Sequence, residues 1–127
     1  MYLDTDVLLA LLKAEDWLQA AAEAAEFDAP KTSIVTALEI QLVMFETWSR
    51  TDLAGLPEAI ESAGIQLLPC SREELTAGAE LLTVYPELNV FDAAHLGHAR
   101  TLGEPIISTD TLYPTIEEID HIDLRDL

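Results

Sequence analysis

Short apolar runs alternate with segments of helical length along this chain, and that alternation limits its possible folds more than any other feature. Met1 to Asp4, Ile65 to Leu68 and Pro105 to Ile107 read as strands, and His121 to Leu124 as a weaker last one. Parallel neighbours need long crossovers, which helices supply, so the pattern predicts an α/β layer fold with a mostly parallel sheet. Helices are expected over about Thr5 to Leu12, Asp16 to Glu26 and Ile34 to Trp48. In the last of these, Leu38, Leu42, Phe45 and Trp48 recur at three- and four-residue steps. Lys31 to Ser33 reads as the lead-in to that helix. Thr51 or Asp52 is expected to cap a further helix ending at Gly64. Ser71 with Glu74 forms a capping box opening a helix to about Tyr85, and Asn89 or Asp92 starts another that ends at Gly103.

The 127 residues suit one domain, residues 1–127, and with half of them apolar a core can form without crosslinks. Cys70 is the only cysteine, which excludes an intrachain disulfide and fits a reducing compartment. The longest apolar run, Val7 to Leu12, is far short of the roughly 20 residues that span a bilayer. No secretory leader is recognisable, so a soluble, cytoplasmic protein without membrane contact is expected. The charge balance is extreme: 24 acidic against 6 basic residues, net −18. Such a surface does not draw nucleic acid by bulk electrostatics. It suits either a halophilic, high-salt cytoplasm, where screening is strong, or a basic partner.

Four acids stand in mostly apolar settings: Asp4, Glu39, Asp92 and Asp110. Asp4 and Asp110 each follow an apolar strand, and ligands of open parallel sheets bind at that edge. Clustered carboxylates repel one another unless a cation neutralises them. Oxygen ligands of this kind suit Mg²⁺ or Mn²⁺ rather than zinc. An ion so held makes a phosphodiester the natural substrate. Each acid also has a structural reading. Asp4 and Asp6 can cap a helix, Thr36-x-x-Glu39 matches a capping box, Asp92 complements a helix dipole, and Asp110 forms a turn. His95 and His98 follow Asp92 at three-residue steps and read as polar residues of one helix face. Asp4-x-Asp6 also suggests a phosphatase of the haloacid-dehalogenase type, but that chemistry enlists a later lysine, and none follows Lys31.

At these residues the sequence resembles the PIN-domain family, and within it the VapC-type toxins of toxin–antitoxin pairs. Tyr2-Leu3-Asp4-Thr5-Asp6-Val7-Leu8 is similar to the first family motif, and Thr32-Ser33-Ile34-Val35-Thr36-Ala37-Leu38-Glu39 to the second. Asp92-Ala93-Ala94-His95-Leu96-Gly97-His98-Ala99 is similar to the third and Ile107-Ser108-Thr109-Asp110 to the fourth. The resemblance implies a three-layer α/β/α sandwich around the parallel sheet. It implies Asp4, Glu39, Asp92 and Asp110 as ligands of Mg²⁺ or Mn²⁺ in an endoribonuclease, as well as homodimerisation and an antitoxin whose tail enters the active-site groove. A basic tail would suit this acidic chain. Other family members act alone in RNA processing, and a catalytically silent, partner-binding module is a further alternative. Asp6 stands where the family usually has Asn or Ser. After Asp110 come Thr111, Leu112 and Tyr113 in place of a further acid, which favours one ion over two. Thr5, Asp6, Ser33 and Thr109 adjoin the acids and can orient them, with capping the equal alternative. Arg100 is a candidate phosphate contact, against an ordinary surface ion pair. The apolar helix ending at Trp48 is the candidate dimer face.

Overall fold

The structure is a computed structural model, and it describes residues 1–13 and 16–127. Five short strands form the sheet: β1 (Tyr2–Leu3), β2 (Lys31–Ser33), β3 (Gln66–Leu68), β4 (Ile106–Ser108) and β5 (His121–Asp123). All pairs are parallel, in the order β3-β2-β1-β4-β5. Helices make the crossovers. α1 (Thr5–Leu12) and α2 (Gln19–Ala24) lead to β2, and α3 (Ile34–Met44), α4 (Arg50–Ala54) and α5 (Leu56–Ser62) lead to β3. α6 (Arg72–Val84) and α7 (Val90–Leu102) then bring the chain across to β4 on the other side of β1. The strand order therefore reverses between β1 and β4, and beyond the C-terminal ends of strands at such a point lies the crevice where open parallel sheets bind ligands.

Side-chain alternation along the central strands builds the layers, because successive residues point to opposite faces. Leu3 and Ile107 face one side, where they join Val7, Leu8, Ile40, Leu56 and Ile60 in a core under α1 to α5. Tyr2 and Ile106 face the other, packing with Leu81, Leu96, Tyr113 and Ile116 under α6 and α7. The result is the expected three-layer α/β/α sandwich. Two glycines let α6 and α7 cross with their backbones touching. A Cβ on Gly97 would lie 2.3 Å from the Glu74 carbonyl oxygen, and one on Gly78 would lie 2.3 Å from that of Ala93. Among the described residues no helix is long and apolar enough to cross a membrane.

Several local expectations change. Lys31–Ser33 is a strand in its own right, recruited between β1 and β3 although its residues are not apolar. α3 stops at Met44 rather than Trp48, because Ser49 opens the next helix by accepting from the Asp52 N–H at 3.1 Å. Ser49, not Thr51 or Asp52, is thus the cap, and Gly55 divides the expected single helix into α4 and α5. α2 covers only the middle of the expected Asp16–Glu26 span. The Ser71 capping box, the Asn89 cap and the left-handed Gly64 and Gly103 after their helices agree with the sequence reading. Leu38, Leu42 and Phe45 do not face the core: they are more than half exposed, while Thr36, Ala37, Ile40 and Met44 turn inward.

Candidate active site

Each acid reaches the crevice from a different element. Asp4 is the residue after β1, and its backbone N–H still pairs with Ile107 of β4 at 3.0 Å. Its side chain is buried, with Oδ2 accepting from the Ser108 hydroxyl at 2.8 Å. Asp110 lies two residues past β4; its N–H donates to Ser108 Oγ at 3.0 Å and its Oδ1 accepts from the Leu112 N–H at 2.8 Å. Ser108 thereby ties the two acids to one point on the sheet edge. Asp92 comes from the first turn of α7, where Asn89 and Asp92 cap each other, and its Oδ1 accepts from the Tyr113 hydroxyl at 3.1 Å. Glu39, half-buried on α3, is linked to Asp4 through His95, whose ring stands beside both carboxylates.

Asp6 has a definite structural task. Its Oδ2 accepts from the Thr109 N–H at 2.8 Å and from the Thr109 hydroxyl at 2.6 Å, and its Oδ1 accepts from the Val7 N–H at 2.8 Å. This clamp holds the loop carrying Asp110 against the start of α1. Thr5 donates to Glu39 Oε1 in a short hydrogen bond. Thr5, Asp6 and Thr109 therefore orient their neighbours. Ser33 caps α3 and bonds to the Tyr2 hydroxyl at 2.9 Å. Arg100 forms the surface ion pair open to it, 3.1 Å from Glu80 where α6 lies alongside α7.

The histidine reading needs correction. His95 and His98 are buried rather than lying on a polar helix face: Tyr2, Thr5, Thr36 and Glu39 surround His95, and His98 stacks on Tyr2. His95 enters the site. Its Nε2 lies 2.8 Å from Glu39 Oε1, 3.1 Å from Thr5 Oγ1 and 3.7 Å from Asp4 Oδ1. On the other edge of the ring, Nδ1 lies 2.9 Å from the Tyr2 hydroxyl. Tyr2, Tyr113 and Ser108 also shape the site, and the sequence reading had not singled them out. Only the spacing of His95 one helical turn after Asp92 gave a signal; the others look like ordinary strand and loop residues.

The electrostatics show strain among the acids. Burial, with the Asp6 charge adding to it, raises the Asp4 carboxyl from 3.8 to about 6 against the opposing pull of His95 and Ser108. Burial likewise raises Asp92, assisted by the charge of Asp110. Glu39 goes the other way: burial opposes its charge, but hydrogen bonds from His95 and Thr5 hold it below the usual carboxylate range. Burial and the charges of Asp4, Asp92 and Asp110 keep the Tyr113 phenol protonated. Burial works against an imidazolium at His95, yet Tyr2, Glu39 and Asp4 around it raise its pKa above the ordinary value.

A divalent ion fits this donor set by chemistry: hard carboxylate oxygens, with Asp4 and Asp92 straining against their own charge. The spacing is open, however. Among the described residues, no three His, Cys, Asp or Glu side chains stand close enough to hold an ion without moving.

Acids gathered at the switch point of a five-stranded parallel sheet define the class, an α/β domain with its site between β1 and β4. The PIN-domain family model matches residues 1–119, and the chain belongs to the PIN-domain family, whose members are generally nucleases. Solved structures share the fold. FitAcB from Neisseria gonorrhoeae is 17% identical with a TM-score of 0.72, covering 99% of each chain. A toxin–antitoxin complex from Klebsiella pneumoniae is 17% identical with a TM-score of 0.73, covering 99% of this chain and 98% of that one. VapBC2 from Rickettsia felis, bound to a DNA fragment from its promoter, is 12% identical with a TM-score of 0.73, covering 96% of each. No curated relative matches the sequence.

Proposed function

We propose that this chain is a metal-dependent endoribonuclease and the toxin of a toxin–antitoxin pair, with Asp4, Glu39, Asp92 and Asp110 holding Mg²⁺ or Mn²⁺. The observation that carries the reading is the buried Asp4 carboxyl, raised to about 6, beside the other three acids of the family motifs. A carboxyl so costly to ionise is one that a cation would relieve. When bound, such an ion would activate water and stabilise the charge that develops on a phosphoryl group during in-line attack. The chain's own residues prepare the place. Ser108 fixes Asp4 and Asp110, the Asp6–Thr109 clamp fixes the loop, and the Tyr113 hydroxyl orients Asp92. Asp4, Asp92 and Asp110 around that phenol give the crevice a negative field. An RNA phosphate would be repelled from it until a cation intervened.

Resemblance to toxin–antitoxin complexes supports a protein antitoxin as partner, and the net charge of −18 supports a basic segment within it. A second copy would cover the outer face of α3. Ile34, Leu38, Leu42 and Phe45 stand exposed there, and Glu39, the helix's one charged residue, reaches toward the site instead. The open donor spacing favours a rival reading, a catalytically silent domain used for partner binding. Calorimetric titration with Mn²⁺ of the native chain and Asp92→Asn, alongside cleavage of single-stranded RNA with and without EDTA, separates the two. Mn²⁺ binding lost in the variant, with EDTA-sensitive cleavage, is the expected result. Native protein that binds no Mn²⁺ and cuts no RNA overturns the nuclease reading in favour of the silent module.

A further inference from the structure

A file of hydrogen-bonding groups runs through the interior behind Glu39. Because Glu39 can only accept, His95 donates through Nε2–H at 2.8 Å. On the far edge of the ring Nδ1 lies 2.9 Å from the Tyr2 hydroxyl, donating to it as the imidazolium and accepting from it as the neutral ring, and the Tyr2 oxygen lies 2.9 Å from Ser33 Oγ and 3.3 Å from Thr36 Oγ1. Thr36 is in turn held by the Thr32 hydroxyl at 2.8 Å. Tyr2, Ser33, Thr36 and His95 are all essentially sealed from solvent. The ring is thus held from behind on β1 and α3 and projects a single donor forward to the carboxylate. His98, one turn further along α7, makes a useful contrast. It is equally buried and stacks on Tyr2 at 5.5 Å, but its Nε2 has no hydrogen-bond partner among the described residues.

We propose that His95, braced by Tyr2, is a positioning residue that sets the orientation in which the Glu39 carboxylate meets a divalent cation. The inference rests on the proposed metal role of Glu39. Glu39 comes from α3 and the other three acids from the β1–β4 edge and α7, so Glu39 depends on a cross-element contact for its alignment. Thr5 and His95 share its Oε1, and Oε2, with no hydrogen-bond partner among the described residues, is the oxygen left to ligate. Partners of this kind behind a metal ligand usually change metal affinity by about 10–100-fold when removed.

The test compares Mn²⁺ affinity by calorimetry, with melting temperature in EDTA as the measure of folding, for native protein, His95→Gln, His95→Leu and Tyr2→Phe. Gln keeps a donor near the Nε2 position; Leu keeps the bulk without a donor. The expected result is about tenfold or greater weakening in His95→Leu with His95→Gln within about threefold of native. RNA cleavage by His95→Leu should then show a fall in kcat with an unchanged KM. The proposal is overturned if His95→Leu binds Mn²⁺ within threefold of native, or if His95→Gln loses as much as His95→Leu, since packing would then explain both. Should His95→Leu fail to fold, Tyr2→Phe decides: fivefold weaker Mn²⁺ binding supports the proposal, and binding within twofold overturns it. Native protein that binds no Mn²⁺ removes the metal reading itself, a failure visible before any variant is compared.

Discussion

Replacing Asp4 by Asn should stabilise the metal-free protein, and by an amount that grows with pH. The unfolded Asp4 carboxyl titrates near 3.8 and the folded one near 6. Below both values each state holds the proton and the group costs nothing. Between them only the unfolded state ionises, so stability falls as pH rises, and above the folded value the penalty is complete. At 1.36 kcal/mol per pKa unit, that penalty is about 3 kcal/mol near pH 8, of which about 1 is already present near pH 4.5. Asn removes the charge, and its carbonyl oxygen can still accept from Ser108. Its advantage over Asp should therefore increase by about 2 kcal/mol between those two pH values, or about 6 °C in melting temperature for a chain of this size. The assay is thermal unfolding by circular dichroism in EDTA. About 0.5 M NaCl shortens the reach of the general repulsion at net −18. The exposed Glu87→Gln serves as a control for losing one negative charge. An Asn advantage equal at both pH values, or a variant less stable than native near pH 8, would refute the reasoning.

Two further outcomes follow from packing. Gly97→Ala would drive a methyl group into the Glu74 carbonyl at 2.3 Å and the Gly78 nitrogen at 2.7 Å, both backbone atoms that cannot rotate away. It should cost about 3 kcal/mol, near 10 °C in melting temperature; a loss under 2 °C would mean that the helices separate easily. Leu42→Glu places a charge on the outer face of α3, where Leu42 is 61% exposed. If that face joins two copies, light scattering should show a dimer in the native chain and a monomer in the variant, with similar melting temperatures; identical masses would remove this interface.

The order of elements and the positions of the acids were open to reading from residue pattern alone. Strand–helix alternation is a local signal, and so are the Ser71–Glu74 box and a glycine beyond a helix end. Asp4 and Asp110 are anchored by the strands they follow, so their shared edge was foreseeable once the sheet was taken as parallel. β2 was not foreseeable in the same way. Lys31, Thr32 and Ser33 have no apolar alternation, and they form a strand because β1 and β3 offer hydrogen bonds on either side.

Burial depended on assembly. α3 is apolar nearly all round, so its periodicity announces a helix without saying which side turns inward. Thr36 goes in because Thr32 and Tyr2 satisfy its hydroxyl, and Leu38 and Leu42 are left outside. His95 illustrates the same limit. In sequence it is a polar residue one turn after an acid, and the chain alone does not reveal that Tyr2 and Thr36 close around it or that Glu39 waits 56 positions away. Hydrogen bonds between distant segments carry no periodic trace, because each partner is chosen by the folded geometry rather than by its neighbours in the chain. The sequence thus determined the α/β order, the acids, and the strand-end placement of Asp4 and Asp110. The tertiary structure decided which faces are buried, which groups brace Glu39 and Asp4, and how much their charge costs.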